Sequence, residues 1–383
     1  MCRPRVGRTS AAGYDRGAPH MEDENAAAAG AGSKTRAQTA SGLREALQAL
    51  PKVDLHRHLE GSLRLSTLAE IAGQHGVDLP GCDIEELRPL VTARDDEPDF
   101  HRFLRKFEVL RRFYCTQEAV ERVAYEAVAD AAGDNVRYLE LRFNPVALAR
   151  AQSFPLDDVT TWVCMAVAKS AADRGIEAKL ILQIGRDETL KTAAEIAEVA
   201  LAHREDGVVG LDLAGDEVKY PAAPFSPIFR AARQDGLNVT VHAGEAGGAA
   251  NVREAIELLG AQRIGHGLRT IDDQETVELV RTQQTTLEVC PTSNLQTGVV
   301  DSLSSHPLPL LLNQGIRATI NTDDPSVSDT TLTDEYLTAA LAMEITTEQI
   351  KETILDAVRG SFQPQGERET MLEWFKSELR LDE

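Results

Sequence analysis

Eight short runs of aliphatic and β-branched residues alternate with amphipathic stretches from about residue 46 onward. The runs cover residues 52–59, 136–144, 179–184, 208–215, 238–245, 263–267, 285–294 and 317–325. The stretches between them, such as "VERVAYEAVADAAG" and "LKTAAEIAEVALAHR", carry apolar residues at helical spacing. Eight strands that alternate with helices over about 300 residues predict an α/β fold of the (β/α)8 TIM-barrel type.

An open, doubly wound sheet is the alternative architecture for such an alternation. It is less favoured, because no G-x-G-x-x-G pattern follows an early strand. Neither an internal repeat nor a flexible linker interrupts the alternation, so we predict one barrel domain over residues 46–383. The preceding segment is basic at first and then small and polar, which predicts a disordered leader over residues 1–45.

The long interval between the first two predicted strands, residues 60–135, is expected to insert extra helices after strand 1. It includes "PDFHRFLRKFEVLRRFY", in which Phe100, Phe103 and Phe107 recur at helical spacing. Such a helix could pack on the outside of the barrel, or it could form an aromatic lid over its mouth.

Charge and composition restrict the partners that the chain is expected to have. Its net charge of −21 is opposite to the basic footprint of nucleic-acid-binding proteins, so no nucleic-acid partner is expected. No apolar run approaches the roughly 18 residues of a membrane helix, so no membrane association is expected. The five cysteines are scattered without a C-x-x-C pair, which favours a reducing cytoplasm. No feature indicates an oligomeric state.

Histidines and acids gather at the carboxyl ends of the predicted strands, where barrel enzymes hold their catalytic groups. These residues are His56 and His58 after strand 1, His242 and Glu245 after strand 5, His266 after strand 6, and Asp323 and Asp324 after strand 8. Four of the nine histidines occupy such positions, which random scatter does not explain.

The residue types at these strand ends are those of a zinc site. His56 and His58 project from the same face of a strand, because they are two residues apart. Three imidazoles and one carboxylate suit zinc and exclude a calcium-type cage. We therefore predict one Zn²⁺ per chain, which would lower the pKa of a water towards ~7. The predicted metal ligands are His56, His58, His242 and Asp323.

Six motifs together resemble the adenosine deaminases and their adenine-deaminase-like relatives. In chain order they are "HRHLEGS", "LAGDE", "HAGE", "GHG", "EVCPTSN" and "NTDDP". The resemblance covers roughly residues 50 to 365, and although each motif alone is weak, the set is highly specific. It implies a zinc-dependent hydrolytic deaminase that replaces the 6-amino group of a purine by oxygen and releases ammonia.

The resemblance also implies a role for each matching residue. Glu245 would protonate purine N1, and His266 would orient and deprotonate the attacking water. Asp324 would contact N7, while the backbone N–H of Gly215 would donate to N3, which a glycine permits because the ring can approach the backbone closely. His58 would face the substrate as well as the metal. Cys290 in "EVCPTSN" is predicted to be a packed residue rather than a ligand.

Glu60 departs from the pattern of many adenosine deaminases, which have an aspartate at this position that holds the ribose 5′-hydroxyl. A glutamate is one methylene longer and would displace that contact. The "TSNLQTG" segment after strand 7 nevertheless favours a nucleoside over a free base. The expected substrates are adenosine or 2′-deoxyadenosine first, in purine salvage, then aminodeoxyfutalosine of menaquinone synthesis, and then adenine.

Two other classes of protein stay open at this point. One is a different amidohydrolase-type enzyme. Many of those use two metals bridged by a carboxylated lysine at the end of strand 4, and Lys219 lies too far downstream for that role. The other is an inactive relative that only binds. Such a relative would be expected to have lost Glu245 or a metal ligand, and here every position is intact.

Overall fold

The fold was analysed in a computed structural model that describes residues 40–77 and 84–381. The chain divides into two units, Met1–Glu45 and Ala46–Glu383. Of the first unit, residues 40–45 are described, and they are helical. The rest of the predicted leader lies outside the described residues. Within the described ranges, no helix is long and apolar enough to cross a membrane.

Ala46–Glu383 contains eight parallel strands that follow one another around a single sheet in the order β1 to β8. They are β1 Lys52–His58, β2 Val136–Phe143, β3 Glu177–Gly185, β4 Val208–Ala214, β5 Asn238–Ala243, β6 Arg263–His266, β7 Thr286–Val289 and β8 Ala318–Ile320. Just beyond β8, Asp323 pairs with β1: its N–H donates to His56 O and its carbonyl accepts from His58 N–H, both at 2.8 Å. The predicted (β/α)8 barrel is confirmed, and the open doubly wound alternative is wrong.

The strands are buried on both faces. β5 to β8 are buried along almost their whole length, as are β1 and most of β2. Parallel strands covered by helices outside and by side chains inside have this two-sided burial. The core therefore includes both the barrel interior and the layer between barrel and helices.

Several predicted strands extend past the observed ones at their carboxyl ends. The run 285–294 is a strand only over Thr286–Val289, because Pro291 begins the helix Pro291–Gln296. The run 317–325 is likewise a strand only over Ala318–Ile320. In both cases the residues past the strand form the loop that carries the motif.

Helices follow every strand. After β2 they are Pro145–Ala149 and Leu156–Arg174; after β3, Leu190–Ala202; after β4, Ser226–Gln234; after β5, Ala249–Glu254; after β6, Gln274–Thr282; after β7, Pro291–Gln296 and Leu308–Asn313; and after β8, Pro325–Ser328, Leu332–Ala342, Thr347–Gly360 and Gln365–Leu379. A π-helical turn, Ala255–Leu259, extends the helix after β5. Short 3-10 turns are Arg204–Asp206, Ala223–Phe225, Leu268–Asp272 and Leu303–Ser305.

The interval after β1 holds the predicted extra helices. They are Leu65–His75, Ile84–Val91, Phe100–Leu110 and Gln117–Gly133, with a 3-10 turn at Arg111–Phe113. Asp99 caps the third of them by accepting from the N–H of Arg102, and Thr116 caps the fourth through Ala119. These caps place the aromatic helix Phe100–Leu110 at a defined position along the inserted segment.

Candidate active site

A cavity of about 740 Å³ opens at the carboxyl ends of the strands. Seven of the predicted site residues line it directly: His58, Glu60, Gly215, His242, Glu245, His266 and Asp323. His56 and Asp324 are buried beside them. The structure therefore brings the predicted site residues together from strands that are far apart in the sequence.

The four predicted metal ligands form one buried cluster. One ligand atom from each of His56, His58, His242 and Asp323 lies within 4.8 Å of the others. Asp323 Oδ1 is 3.2 Å from the Nε2 atoms of both His56 and His58, and these two nitrogens are 3.2 Å apart. Such a cluster of nitrogen and oxygen donors, with few other partners for those atoms, has the composition of a metal site.

Carboxylates on the far side of the cluster orient two of its imidazoles. His56 Nδ1 lies 2.8 Å from Glu288 Oε2, and His242 Nδ1 lies 3.0 Å from Asp212 Oδ1. Each carboxylate accepts a hydrogen bond from the Nδ1–H group, so in the neutral ring the lone pair is on Nε2, facing the cluster. Both rings are thereby held as metal-binding tautomers.

The ionisation of this layer favours metal binding. Burial lowers the pKa of His242 to about 4, so its ring is neutral near pH 7. Burial would raise the pKa of Asp212, but His242 and Arg142 outweigh it and hold that pKa below its usual value. The result is a neutral imidazole backed by an ionised carboxylate.

Glu245 and His266 lie next to each other at the edge of the cluster. Glu245 Oε2 is 3.6 Å from His266 Nε2, while Glu245 Oε1 is buried and has no hydrogen-bond partner among the described residues. Burial, reinforced by the charges of Asp323 and Glu217, raises the pKa of Glu245 well above its ordinary value. Burial also lowers the pKa of His266 well below its ordinary value. The pair thus combines a carboxyl group whose surroundings favour its protonated form with an imidazole whose surroundings favour its neutral form.

Two glycines allow close approaches around the cavity. Gly215 has φ +111°, a backbone conformation that side-chain-bearing residues rarely adopt, and it is exposed to the cavity. Gly61 lies so close to Asp324 that a Cβ atom on it would be 1.9 Å from Asp324 Oδ1. That Oδ1 atom is buried and unpartnered within the described part of the chain.

Glu60 also lines the cavity. Its Oε1 accepts a hydrogen bond from the N–H of Asn144 at 2.8 Å, and its Oε2 is buried without a partner in the described ranges. Burial raises the pKa of Glu60, although the nearby His58 and Arg111 oppose that shift. One carboxyl oxygen therefore remains available to a ligand.

The aromatic helix Phe100–Leu110 forms part of the cavity wall. Phe100, Phe103 and Phe107 all line the cavity, and the rings of Phe103 and Phe107 are 6.1 Å apart. Phe103 is also buried. Packing on the barrel and covering its mouth are thus not exclusive roles for this helix, because its aromatic face both packs against the protein and borders the cavity.

Sequence reasoning missed the residues that support the site. They are Asp212 and Glu288, which orient imidazoles, Arg142, which bridges these two carboxylates, Glu217, which holds the loop after β5, and Asn294, which contacts His266. A signal was present in the strands: Glu140, Arg142, Asp212 and Glu288 are charged residues inside otherwise apolar runs. Charges in such strands must be paired within the barrel.

Two further residues considered in the sequence, Cys290 and Lys219, have none of these roles. The Cys290 thiol is buried, lies 3.6 Å from Glu288 O, and shares a second possible ligand group with His266 and Asp323. Lys219 borders the outer part of the cavity, where its Nζ lies over the ring of Tyr220.

The chain matches the family model described as "Adenosine deaminase" over residues 51–377. It is 39% identical over 324 residues to an adenosine deaminase of Shigella flexneri, a match that covers 85% of this chain and 97% of that protein. The structure resembles an adenine deaminase from Arthrobacter aurescens, with a TM-score of 0.80, 28% identity, and coverage of 86% and 99%. It also resembles a zinc-bound amidohydrolase from Burkholderia ambifaria, with a TM-score of 0.78, 26% identity, and coverage of 88% and 95%.

These similarities extend over nearly the whole barrel and agree with the buried cluster of three histidines and an aspartate. The chain belongs to the adenosine deaminase family, and it is a hydrolase that acts on the carbon–nitrogen bond of a cyclic amidine.

Proposed function

We propose that the protein deaminates adenosine and 2′-deoxyadenosine to inosine and 2′-deoxyinosine, with one Zn²⁺ per chain and in the cytoplasm, as part of purine salvage. One observation carries this proposal: Glu245 and Glu60 each present a buried, unpartnered carboxyl oxygen in the same cavity. Unsatisfied buried polar atoms cost about 1–3 kcal/mol each, so a ligand that pairs with both is favoured. A purine nucleoside has polar groups at both of its ends.

The donor set fits zinc. Three imidazole nitrogens and one carboxylate oxygen suit zinc, and the carboxylates behind His56 and His242 hold two of the nitrogens as lone-pair donors. When bound there, the metal lowers the pKa of a water towards ~7.

Glu245 is the residue that we assign to purine N1. Burial raises its pKa well above the ordinary value, which favours the protonated carboxyl group, and this proton can be transferred to a ring nitrogen as C6 is attacked. Protonation of N1 makes C6 more electrophilic. His266 lies beside it and is assigned to orienting the water.

The other face of the substrate is assigned to Asp324, Gly215 and Glu60. Burial raises the pKa of Asp324, so a protonated carboxyl group can donate a hydrogen bond to N7. The backbone N–H of Gly215 is assigned to N3. Glu60 Oε2 is assigned to a sugar hydroxyl, with the aromatic helix Phe100–Leu110 covering the apolar part of the ligand.

The free base adenine is the second candidate, because the Arthrobacter neighbour is named an adenine deaminase. Adenine would leave Glu60 Oε2 without a partner, and a nucleoside would not. Aminodeoxyfutalosine retains a nucleoside framework and is the third possibility.

The test is a parallel assay of the zinc-loaded protein with adenosine, 2′-deoxyadenosine, adenine and aminodeoxyfutalosine, followed by the change in ultraviolet absorbance. Efficient turnover of the first two is expected. Turnover confined to adenine or aminodeoxyfutalosine would contradict the substrate assignment and retain the chemistry. No turnover of any of them by metal-loaded protein would contradict both.

A further inference from the structure

A chain of hydrogen bonds leads from the backbone at the start of helix Leu308–Asn313 to the active-site imidazole. The N–H of Leu308 donates to His306 Nδ1 at 3.1 Å. His306 Nε2 is 3.3 Å from Asn294 Oδ1, and Asn294 Nδ2 is 3.1 Å from His266 Nδ1. His306, Asn294 and His266 are all at least 96% buried, so water does not compete for these contacts.

The hydrogen bond between the Leu308 N–H and His306 can have only one direction. A backbone N–H cannot accept a hydrogen bond, so His306 Nδ1 must be unprotonated. The proton of the His306 ring is therefore on Nε2, where it donates to the Asn294 side-chain oxygen.

The direction then passes to His266. Since the Asn294 oxygen faces His306, its amide NH₂ faces His266 Nδ1 and donates to it. A proton on His266 Nδ1 would place two donors against each other, so that proton must be on Nε2 instead.

The opposite orientation of the Asn294 amide is excluded by the same donor. With the amide turned over, its NH₂ would face His306 Nε2, which would then have to accept. The His306 proton would move to Nδ1, directly against the N–H of Leu308 at 3.1 Å. Only one arrangement of protons along these three hydrogen bonds lets a donor face an acceptor in each of them.

We propose that His306 and Asn294 are positioning residues that hold His266 in its Nε2–H tautomer, so that His266 enters the reaction as a hydrogen-bond donor. His266 Nε2 is the ring nitrogen beside Glu245, at 3.6 Å from Oε2. An N–H at that position can donate to an oxygen lone pair of the attacking water and so orient it. The same nitrogen cannot accept the water's proton, because its lone pair is already protonated.

This separates the two tasks that the family resemblance implies for His266: orienting the water fits this tautomer, and deprotonating it through Nε2 does not. The catalytic consequence rests on the proposed function, whereas the tautomer itself does not depend on any substrate.

The test is ¹⁵N NMR of the zinc-loaded protein labelled at histidine, in which protonated and unprotonated ring nitrogens give separate signals. His266 is assigned by the signal that disappears in His266→Asn. We expect its Nε2 to carry the proton in the wild type. Protonation at Nδ1 in the wild type would overturn the proposal. This measurement does not depend on the folding of any His306 or Asn294 variant.

Three substitutions test the hydrogen-bonded path from His306 through Asn294 to His266. Asn294→Asp puts an acceptor against His266 Nδ1, so the proton should move from Nε2 to Nδ1, and kcat should fall about 10- to 100-fold with a smaller change in KM. His306→Phe should lower kcat, and His306→Gln should restore most of it, because the glutamine amide can still donate to Asn294. Unchanged His266 signals in Asn294→Asp would overturn the proposal.

His203→Phe is the matched control. His203 is a buried histidine at the C-terminal end of helix Leu190–Ala202, with two side-chain partners, Asp157 and Asp206. Its loss should lower the melting temperature and leave the His266 signals and kcat unchanged. A wild type with the expected tautomer and no activity on purine nucleosides would refute the proposed function and uphold the tautomer assignment.

Discussion

Arg142 lies at the centre of a buried charge network next to the cluster of candidate metal ligands. Its Nη1 is 3.1 Å from Asp212 and its Nη2 is 2.8 Å from Glu288, the two carboxylates that orient His242 and His56. Arg263 continues the network from Glu288 to Glu140. Burial would raise the pKa values of Asp212 and Glu288, but Arg142 and the imidazoles beside them hold both below their usual values.

Glu245→Gln is expected to lower kcat by two to four orders of magnitude, about the contribution of a positioned general acid. The glutamine keeps the shape of the side chain but has no carboxyl proton to transfer to N1. Metal content and the affinity for inosine should change little, because Glu245 is not among the predicted ligands. Steady-state kinetics and metal analysis of the purified variant check this. Activity near that of the wild type would remove Glu245 from its assigned role.

At the scale of the structural elements, the loop after β4 holds the loop after β5. The carboxylate of Glu217 accepts hydrogen bonds from the backbone N–H groups of Gly244, Glu245 and Gly247 at 2.8–2.9 Å. Asn251 Nδ2 adds a fourth donor at 2.9 Å. Glu217 follows Gly215 by two residues, so these bonds fix the backbone of Glu245 relative to the segment that contains Gly215.

Glu217→Gln is expected to weaken this clamp, because an amide NH₂ would replace one oxygen and face two donors. We expect kcat/KM to fall about 10- to 100-fold with zinc retained, and the amides of residues 244–247 to exchange faster with deuterium. The control is Asp134→Asn, which weakens a carboxylate that accepts from Thr333 N–H at the other end of the barrel. Equal effects of both variants on kcat/KM would contradict a specific role of Glu217.

A second buried glutamate holds the loop after β7. Glu335 accepts from the N–H of Thr292 at 3.0 Å and from the hydroxyl of Thr330 at 2.8 Å. Burial nevertheless raises its pKa from 4.5 to about 7. Because the folded-state pKa is the higher one, this group stabilises the fold below pH 4.5, and the stabilisation is lost as pH rises through 7.

Glu335→Gln removes this titration. Relative to the wild type, its free energy of unfolding should therefore increase with pH between about 4.5 and 7, by a total of about 3 kcal/mol. Denaturant unfolding of the metal-free proteins at several pH values measures the difference. Glu275→Gln, at a highly exposed position, is the control and should show no such trend. A difference that does not vary with pH would show that Glu335 has an ordinary pKa.

At the scale of the whole molecule, the cluster of candidate metal ligands lies where the first and last strands of the barrel meet. Two of its members, His56 and His58, belong to β1, and Asp323 bonds to the backbone of both from the end of β8. Asp323 itself has φ +57°, a strained value for a residue with a side chain. A metal held by these residues therefore joins the first and last strands.

Removal of the metal is expected to lower the melting temperature by several degrees, because buried ligands that faced it are left unpaired at the closure of the barrel. Re-addition of Zn²⁺ should restore the wild type. Asp323→Ala should bind zinc weakly and should regain little stability when zinc is added. Calorimetry with and without a chelator checks this. Full zinc stoichiometry in Asp323→Ala would show that another residue is the fourth ligand.

The amino-acid sequence by itself determined the barrel and which candidate site residues lie together at one end of it. Eight apolar runs separated by amphipathic stretches predict strands and helices through local periodicity, which needs no knowledge of distant residues. In a barrel all strands end at one face, so residues such as His56, His242 and Asp323 could be assigned to one site from their positions at strand ends alone.

Only the tertiary structure decided which buried polar groups meet. Asn294 and His306, or Glu217 and the amide of Glu245, are brought together by packing between loops, and no periodic pattern records such a contact. The ionisation of Glu245 and the tautomer of His266 likewise depend on burial and on neighbours from other strands. Local sequence specifies which groups are available, whereas the three-dimensional environment sets their protons.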